Sequence, residues 1–210
     1  MKSNPCFVVP LLALIAVAEA DKSGLVGCGS AIKLTHVDSG GSYQLTSNGH
    51  NWGGGSGQQV VTLMDDRTAQ SALWLVREAH DTPQCIAGTP IECGSTIRLT
   101  HLLTLKNLHT HFVRSALSGQ QEVSGYGNKG EGDDSDNWIL VCSGKYWEQG
   151  QKIRLKHEAT GKYLSSAKQN EFNNQNCRNC PILNHLEAAA TARVDGTSYF
   201  TTDVGIYLSH

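Results

Sequence analysis

Beyond residue 20 this chain of 210 residues has no apolar run long enough to cross a bilayer, which takes about 20 consecutive apolar residues. It also lacks an excess of charge of one sign. Its 17 Lys and Arg against 19 Asp and Glu give a net charge of −2, without the basic concentration that neutralises phosphates, so nucleic acid is not an expected partner. There is no Gly-x-Ser-x-Gly elbow, Walker loop or His-Glu-x-x-His, and no pair of carboxylates that the sequence places in one cleft. The chain is therefore not expected to be an enzyme or to carry a cofactor. It holds no Asn-x-Ser/Thr sequon, so N-glycosylation is not expected. Long apolar stripes of helical period are scarce. Brief alternating segments separated by Gly, Asn, Asp and Ser recur along the chain instead, and that is an all-β signature.

The one apolar run, Cys6 to Ala18, follows Lys2 and ends at Ala18-Glu19-Ala20, small residues in the −3 and −1 positions of a cleavage site. Residues 1–20 are read as a secretory signal peptide, leaving residues 21–210 as a soluble mature protein with no membrane span. That length suits one domain with a real core, or two small ones.

What is present in abundance is repetition. "CGSAIKLTH" at 28–36 returns as "CGSTIRLTH" at 93–101 and, more worn, as "GQKIRLKH" at 150–157. In each copy two apolar side chains flank a basic one: Ile32 and Leu34 about Lys33, Ile97 and Leu99 about Arg98, Ile153 and Leu155 about Arg154. Alternation of this kind predicts a half-buried strand. A second strand follows in each case, around Leu45, Leu108 and Leu164. A third element reads "SGQQVV" at 56–61, "SGQQEV" at 118–123 and "NHLEAA" at 184–189; a fourth carries Trp74, Trp138 and Phe200. Three units of four strands, none with enough apolar surface to stand alone, must share one core. Propeller blades usually number at least four, so the pattern predicts a single β-trefoil domain over 21–210 with repeats at about 28–82, 90–146 and 147–208.

The "GSxIxLTH" openings, the "SGQQEV" segment, the acidic "GEGDDSDNW" run and the Trp-ended units resemble MIR-motif proteins, specifically the stromal cell-derived factor 2 family of small endoplasmic-reticulum proteins. The resemblance covers residues 24 to 208. It implies a trefoil of three MIR repeats and a non-enzymatic co-chaperone that binds a J-domain co-chaperone and the lumenal 70-kilodalton heat-shock chaperone, with unfolded clients as further partners. Two departures are visible. Family members usually end in a retrieval tetrapeptide, whereas this chain reads "YLSH" after its last strand, so the expected location is the lumen, held by a partner, or the medium. The third repeat has Phe200 where the family places Trp, and an extra "CRNC" at 177–180. MIR repeats also occur in protein O-mannosyltransferases, whose chemistry needs many membrane spans.

Without Cys6 the chain keeps Cys28, Cys85, Cys93, Cys142, Cys177 and Cys180, an even number that allows 15 pairings in an oxidising compartment. A short link from Cys85 across "IAGTPIE" to Cys93 is geometrically easy, and Cys28 with Cys142 then remains among the four cysteines that the family resemblance covers. Cys177 and Cys180 form Cys-x-x-Cys outside any βαβ unit, so a local disulfide pinning a polar loop is expected there rather than a redox centre.

Candidate sites lie on the loops. Glu131, Asp133, Asp134 and Asp136 gather in a Gly-rich segment that lacks the EF-hand pattern; they are read as solvated surface and as candidates for contact with a basic patch on a J-domain partner. The repeat-equivalent His36, His101 and His157 sit at strand ends, where each is expected to bond a turn backbone rather than a shared metal ion. In the alternative reading, a secreted lectin-like trefoil, Tyr43, Trp52, Tyr126, Tyr146 and Tyr163 would stack on the sugar faces of a glycan.

Overall fold

A computed structural model describes residues 24–209; the expected signal peptide, its cleavage site and Cys6 lie outside the described residues. Repeat one consists of β1 (Ala31–His36), β2 (Gln44–Asn51), β3 (Gln59–Met64) and β4 (Trp74–Glu78). Repeat two consists of β5 (Thr96–His101), β6 (Asn107–Arg114), β7 (Gln121–Tyr126) and β8 (Trp138–Val141). Repeat three runs through β9 (Arg154–His157), β10 (Tyr163–Ser165), β11 (Leu186–Glu187), β12 (Ala189–Thr191) and β13 (Phe200–Ile206). A one-turn 3₁₀ helix precedes each closing strand, at Gln70–Ala72, Asp134–Asp136 and Gly196–Ser198. Among the described residues no helix is long and apolar enough to cross a membrane.

Two cyclic patterns show how the repeats close. At one end three backbone hydrogen bonds form a ring: Val26 N–H donates to Trp147 O (2.9 Å), Trp147 N–H to Ile91 O (2.8 Å) and Ile91 N–H to Val26 O (3.0 Å). At the other end the second hairpins pair in a triangle, β3 with β7, β7 with β12 and β11 with β3. Each closing strand lies antiparallel to the first strand of the next repeat, β4 on β5, β8 on β9 and β13 on β1. This is a β-trefoil. Ile32, Leu34, Leu45, Ile97, Leu99, Leu108, Leu140, Leu155 and Leu164 belong to one continuous buried cluster, so no repeat has a core of its own.

That register places an aromatic ring opposite a histidine at every junction: Trp74 faces His101, Trp138 faces His157 and Phe200 faces His36. The ring centroids lie 5.0, 5.2 and 5.2 Å apart. Each histidine is fully buried, and its Nε2 bonds a carbonyl of the preceding repeat's 3₁₀ turn: His101 to Ser71 (2.9 Å), His157 to Ser135 (3.1 Å) and His36 to Thr197 (2.9 Å). Burial holds all three imidazoles below their ordinary pKa, against the carbonyl bonds that favour the protonated form. The expectation that these rings bond backbone is met. Trp74 and Trp138 also donate their indole N–H to Leu45 O and Leu108 O, 2.9 Å each, a bond that Phe200 lacks a donor to make.

Two expectations are corrected. The opening strands are not half-buried: β1 is buried at every position and β5 at all but its first, whereas β9 does alternate. Loops fold over the outer face and take up the polar side chains. Lys33 donates to Arg67 O (2.6 Å), and Arg98 donates to Glu78 O (3.0 Å), Gly130 O (3.1 Å) and the Glu78 carboxylate (3.2 Å). The disulfides also pair differently, as Cys28–Cys85, Cys93–Cys142 and Cys177–Cys180, so only the local bridge is as expected. Backbone pairing explains the change. Cys85 is not on the closing strand, which ends at Glu78, but in a loop that lies beside Cys28 through Cys28 N to Thr89 O (2.9 Å) and Gly88 N to Cys28 O (2.8 Å). Cys93 N bonds Lys145 O (2.9 Å), which brings Cys93 to the turn after β8 and to Cys142.

Candidate functional site

The acidic run starts from a glycine requirement. A Cβ on Gly132 would stand 1.7 Å from an Asp136 carboxylate oxygen and 2.8 Å from the Asn107 amide nitrogen, so the chain can pass here only without a side chain. This passage lets Asp136 turn inward. It is fully buried and accepts hydrogen bonds from Asn107 Nδ2 (2.8 Å), the Asp133 backbone N–H (3.0 Å) and His109 Nδ1 (2.9 Å). Asp133 caps the same 3₁₀ turn by accepting from Ser135 N–H (2.9 Å), a reciprocal capping box. His109 continues inward-to-outward through Nε2 to His111 Nδ1 (3.1 Å), and burial, followed by the neighbouring His109, lowers the pKa of His111. Asp136 is thus a structural acceptor that no partner can touch. Glu131 and Asp134 are exposed and Asp133 half-buried, so the outward acidic face is smaller than the run of letters suggests.

The geometry adds an apolar neighbour that sequence reading missed. Gly130 N–H donates to Leu105 O (2.7 Å), pinning the acidic loop to the turn between β5 and β6. On that turn Leu102, Leu103 and Leu105 are exposed at 37%, 58% and 44%, so three exposed apolar side chains stand on the turn to which the acidic loop is pinned. The signal was present in the letters. The equivalent turns read "VDSGGS" at 37–42 and "EATGKY" at 158–163, and only repeat two reads "LLTLKN". Arg98 Nη1 and Asn107 Nδ2 both donate to Gly130 O, so the face is rigidly backed.

The aromatic candidates separate. Tyr43 packs against the core, and burial raises its pKa; Tyr146 lies beneath the Lys145 ammonium at 4.9 Å from the ring centroid; Tyr163 sits in β10 opposite Lys156 and Thr191. Tyr126 and Trp52 line two different clefts. Tyr126 stacks on His109 at 4.6 Å and borders a polar cleft of about 450 Å³ with Asn51, Gln58, Lys106, Asn128 and Glu131. Among the described residues three clusters hold metal-ligand atom types close together: Cys28, Glu78 and Cys85, whose two sulfurs are joined in a disulfide; His80, Asp81 and Asp134, with both carboxylates exposed; and His109, Asp133 and Asp136, whose atoms are already hydrogen-bonded to one another and to the turn.

The chain matches a family model described as MIR domain over residues 47–141. It is 37% identical to human stromal cell-derived factor 2 over 204 residues, which cover 96% of this chain and 92% of that one. The solved SDF2-like protein from Arabidopsis thaliana superposes with a TM-score of 0.79 at 32% identity, over 88% of this chain and 98% of that one. The Saccharomyces cerevisiae protein O-mannosyltransferase Pmt1-Pmt2 complex bound to the sugar donor contains a similar body, with a TM-score of 0.73 at 27% identity, over 86% of this chain and 25% of that one. Identity at this level over nearly the full length of both chains means that the chain belongs to the stromal cell-derived factor 2 family.

Proposed function

We propose that the protein is a non-enzymatic co-chaperone of the endoplasmic reticulum. In this reading it docks a J-domain co-chaperone and through it the lumenal 70-kilodalton heat-shock chaperone and their unfolded clients. The observation that carries the reading is family membership across 96% of the chain. Two structural features support it. All six cysteines among the described residues are paired in disulfides, which suits an oxidising compartment. The repeat-two turn carries exposed leucines and the acidic loop pinned to it carries the exposed Glu131 and Asp134, so apolar and charged groups that protein partners use stand on adjoining loops. The protein would stay in the lumen by virtue of this contact and reach the medium when the contact is weakened.

The test is a pull-down from lumenal extract with the protein, the double variant Glu131→Ser/Asp134→Ser, and Leu103→Ser. The intact protein should capture a J-domain protein. The acidic variant should capture less, with a smaller salt dependence, because rim charges act mainly on association rate. Both variants should melt within about 0.5 kcal/mol of the parent, as exposed positions do. Failure of the intact protein to capture a J-domain protein contradicts the function; equal capture by all three contradicts the face. The polar cleft at Tyr126 favours a second reading, a glycan stacked on Tyr126 with Asn51, Gln58 and Asn128 on its hydroxyls. Specific signals on a glycan array, lost with Tyr126→Ala, would put this reading first.

A further inference from the structure

The three junctions of the hairpin triangle carry one structural position in three versions. Cross-strand register aligns Val60 (opposite Ser124), Glu122 (opposite Ala189) and Glu187 (opposite Thr62). Glu122 and Glu187 are buried, and each reaches the loop of the preceding repeat. Glu122 accepts from the Ser56 hydroxyl and from Ser56 N–H (3.4 Å); Glu187 accepts from Leu117 N–H (2.6 Å) and Ser118 N–H (2.9 Å). Val60 has no such group. Opposite it stands the repeat-three loop closed by Cys177–Cys180, and Val60 packs with Phe172 and Ile182 in a small apolar cluster of its own.

The junction is left unfilled. A cleft of about 440 Å³ lies between Val60, Leu117, Phe172, Ile182, the disulfide and Trp52. Its lining contains no Asp, Glu, Lys or Arg. The Trp52 ring meets Phe172 at 5.8 Å, and its indole Nε1–H is buried without an acceptor among the described residues. A Cβ on Gly53 or Gly54, also in the lining, would meet nothing within 4 Å, so the backbone there leaves open space. A volume of this size, apolar walls and one unpaired donor are the features of a small-molecule site. His50, Asn51 and Asn176 also stand in the lining, but the Asn176 amide is already taken up by Asn173 N–H and Glu171 O, so few polar groups are left for the several hydroxyls of a sugar.

We propose that this cleft binds a neutral, largely apolar small molecule carrying one hydrogen-bond acceptor, which lies against Trp52 and Phe172 and accepts from Trp52 Nε1–H. The site is independent of the repeat-two face and of the co-chaperone reading. The probe for the test is 6-propionyl-2-dimethylaminonaphthalene, a neutral fluorophore with one ketone whose emission shifts to the blue in apolar surroundings. Titration of the intact protein should give a saturable blue shift that methyl glucoside does not reverse. Val60→Glu, which places at this junction the residue found at the other two, should abolish it. Trp52→Phe keeps an aromatic wall and loses the donor, and should weaken binding about two- to tenfold, the worth of one hydrogen bond. It carries the test if Val60→Glu fails to fold. No saturable shift with the intact protein, displacement by methyl glucoside, a full response from a folded Val60→Glu, or unchanged affinity in Trp52→Phe would each overturn the proposal.

Discussion

Repeats one and two are each clasped end to end, and repeat three is not. Cys28 follows the Val26 member of the backbone ring and bonds Cys85, across 57 residues; Cys93 follows the Ile91 member and bonds Cys142, across 49. In the third repeat the Trp147 member is followed by Gln149 where the others have cysteine, and the only bridge is Cys177–Cys180, three residues apart within one loop. The same division appears at the junctions. Trp74 and Trp138 tie down a carbonyl that Phe200 cannot, and Glu122 and Glu187 anchor the loops of repeats one and two, while the repeat-three loop meets Val60 of repeat one, which has no such group. A shared frame thus leaves one repeat less constrained. That repeat holds the extra loop and, with Val60 and Trp52 of repeat one, the apolar cleft.

The largest test of this division is to remove the bridges. In the chain-entropy account, opening a closed loop of about 50 residues costs about 4 kcal/mol and a loop of about four costs about 2 kcal/mol. Cys93→Ser/Cys142→Ser should therefore lower stability in urea about twice as much as Cys177→Ser/Cys180→Ser. Equal losses would break the comparison.

A smaller effect is expected at the closing strands. Trp74→Phe or Trp138→Phe leaves Leu45 O or Leu108 O without its indole donor, at a cost of about 1 to 3 kcal/mol for a buried unsatisfied group. The reverse change, Phe200→Trp, offers repeat three the missing donor. If it gains stability, the third repeat has room for the bond; if it loses about 1 to 3 kcal/mol, the space around Phe200 is already closed and overpacking wins.

The most gradual effect is with pH. His36, His101 and His157 have folded pKa values lowered by burial, so below their unfolded value of about 6.5 the unfolded chain binds more protons than the folded one. The stability these rings contribute is complete above that pH and is lost as the pH falls through the folded values. The urea midpoint should drop steadily from pH 7 to pH 5. His36 sharpens the comparison, because His101 and His157 bond Thr104 and Thr160 through Nδ1 (2.8 Å each), while His36 Nδ1 has no partner among the described residues. A midpoint that held constant would show that the imidazoles are not held neutral by burial.

The frame was legible because duplication wrote it three times. "CGSAIKLTH" and "CGSTIRLTH" begin equivalent strands, and the spacing of Trp74, Trp138 and Phe200 gives the closing strands their places. What escaped was set by loops folding over strands. Alternation of Ile97, Arg98 and Leu99 gives the pleat correctly, but nothing in those letters says that Glu78 and Gly130 will arrive above Arg98 and bury it. The bridges escaped for a related reason. Cys28 and Cys93 are repeat-equivalent, yet their partners are not, since Cys142 directly follows β8 while Cys85 stands in a loop beyond β4. Asp136 sits in an acidic run like its neighbours, and only Gly132 hints that the chain turns it inward. The cleft depends on Val60 standing where Glu122 and Glu187 stand, an equivalence that the one-residue break between β11 and β12 hides from a linear alignment.

The division between clasped repeats and an unclasped one stands or falls on the cysteine pairing, and non-reducing peptide mapping of the oxidised protein reads it directly. Cross-linked peptides joining Cys28 to Cys85 and Cys93 to Cys142, with Cys177 and Cys180 bridged in one peptide, are the predicted result. A Cys85–Cys93 or Cys28–Cys142 link, or free thiols at these six positions, would contradict it.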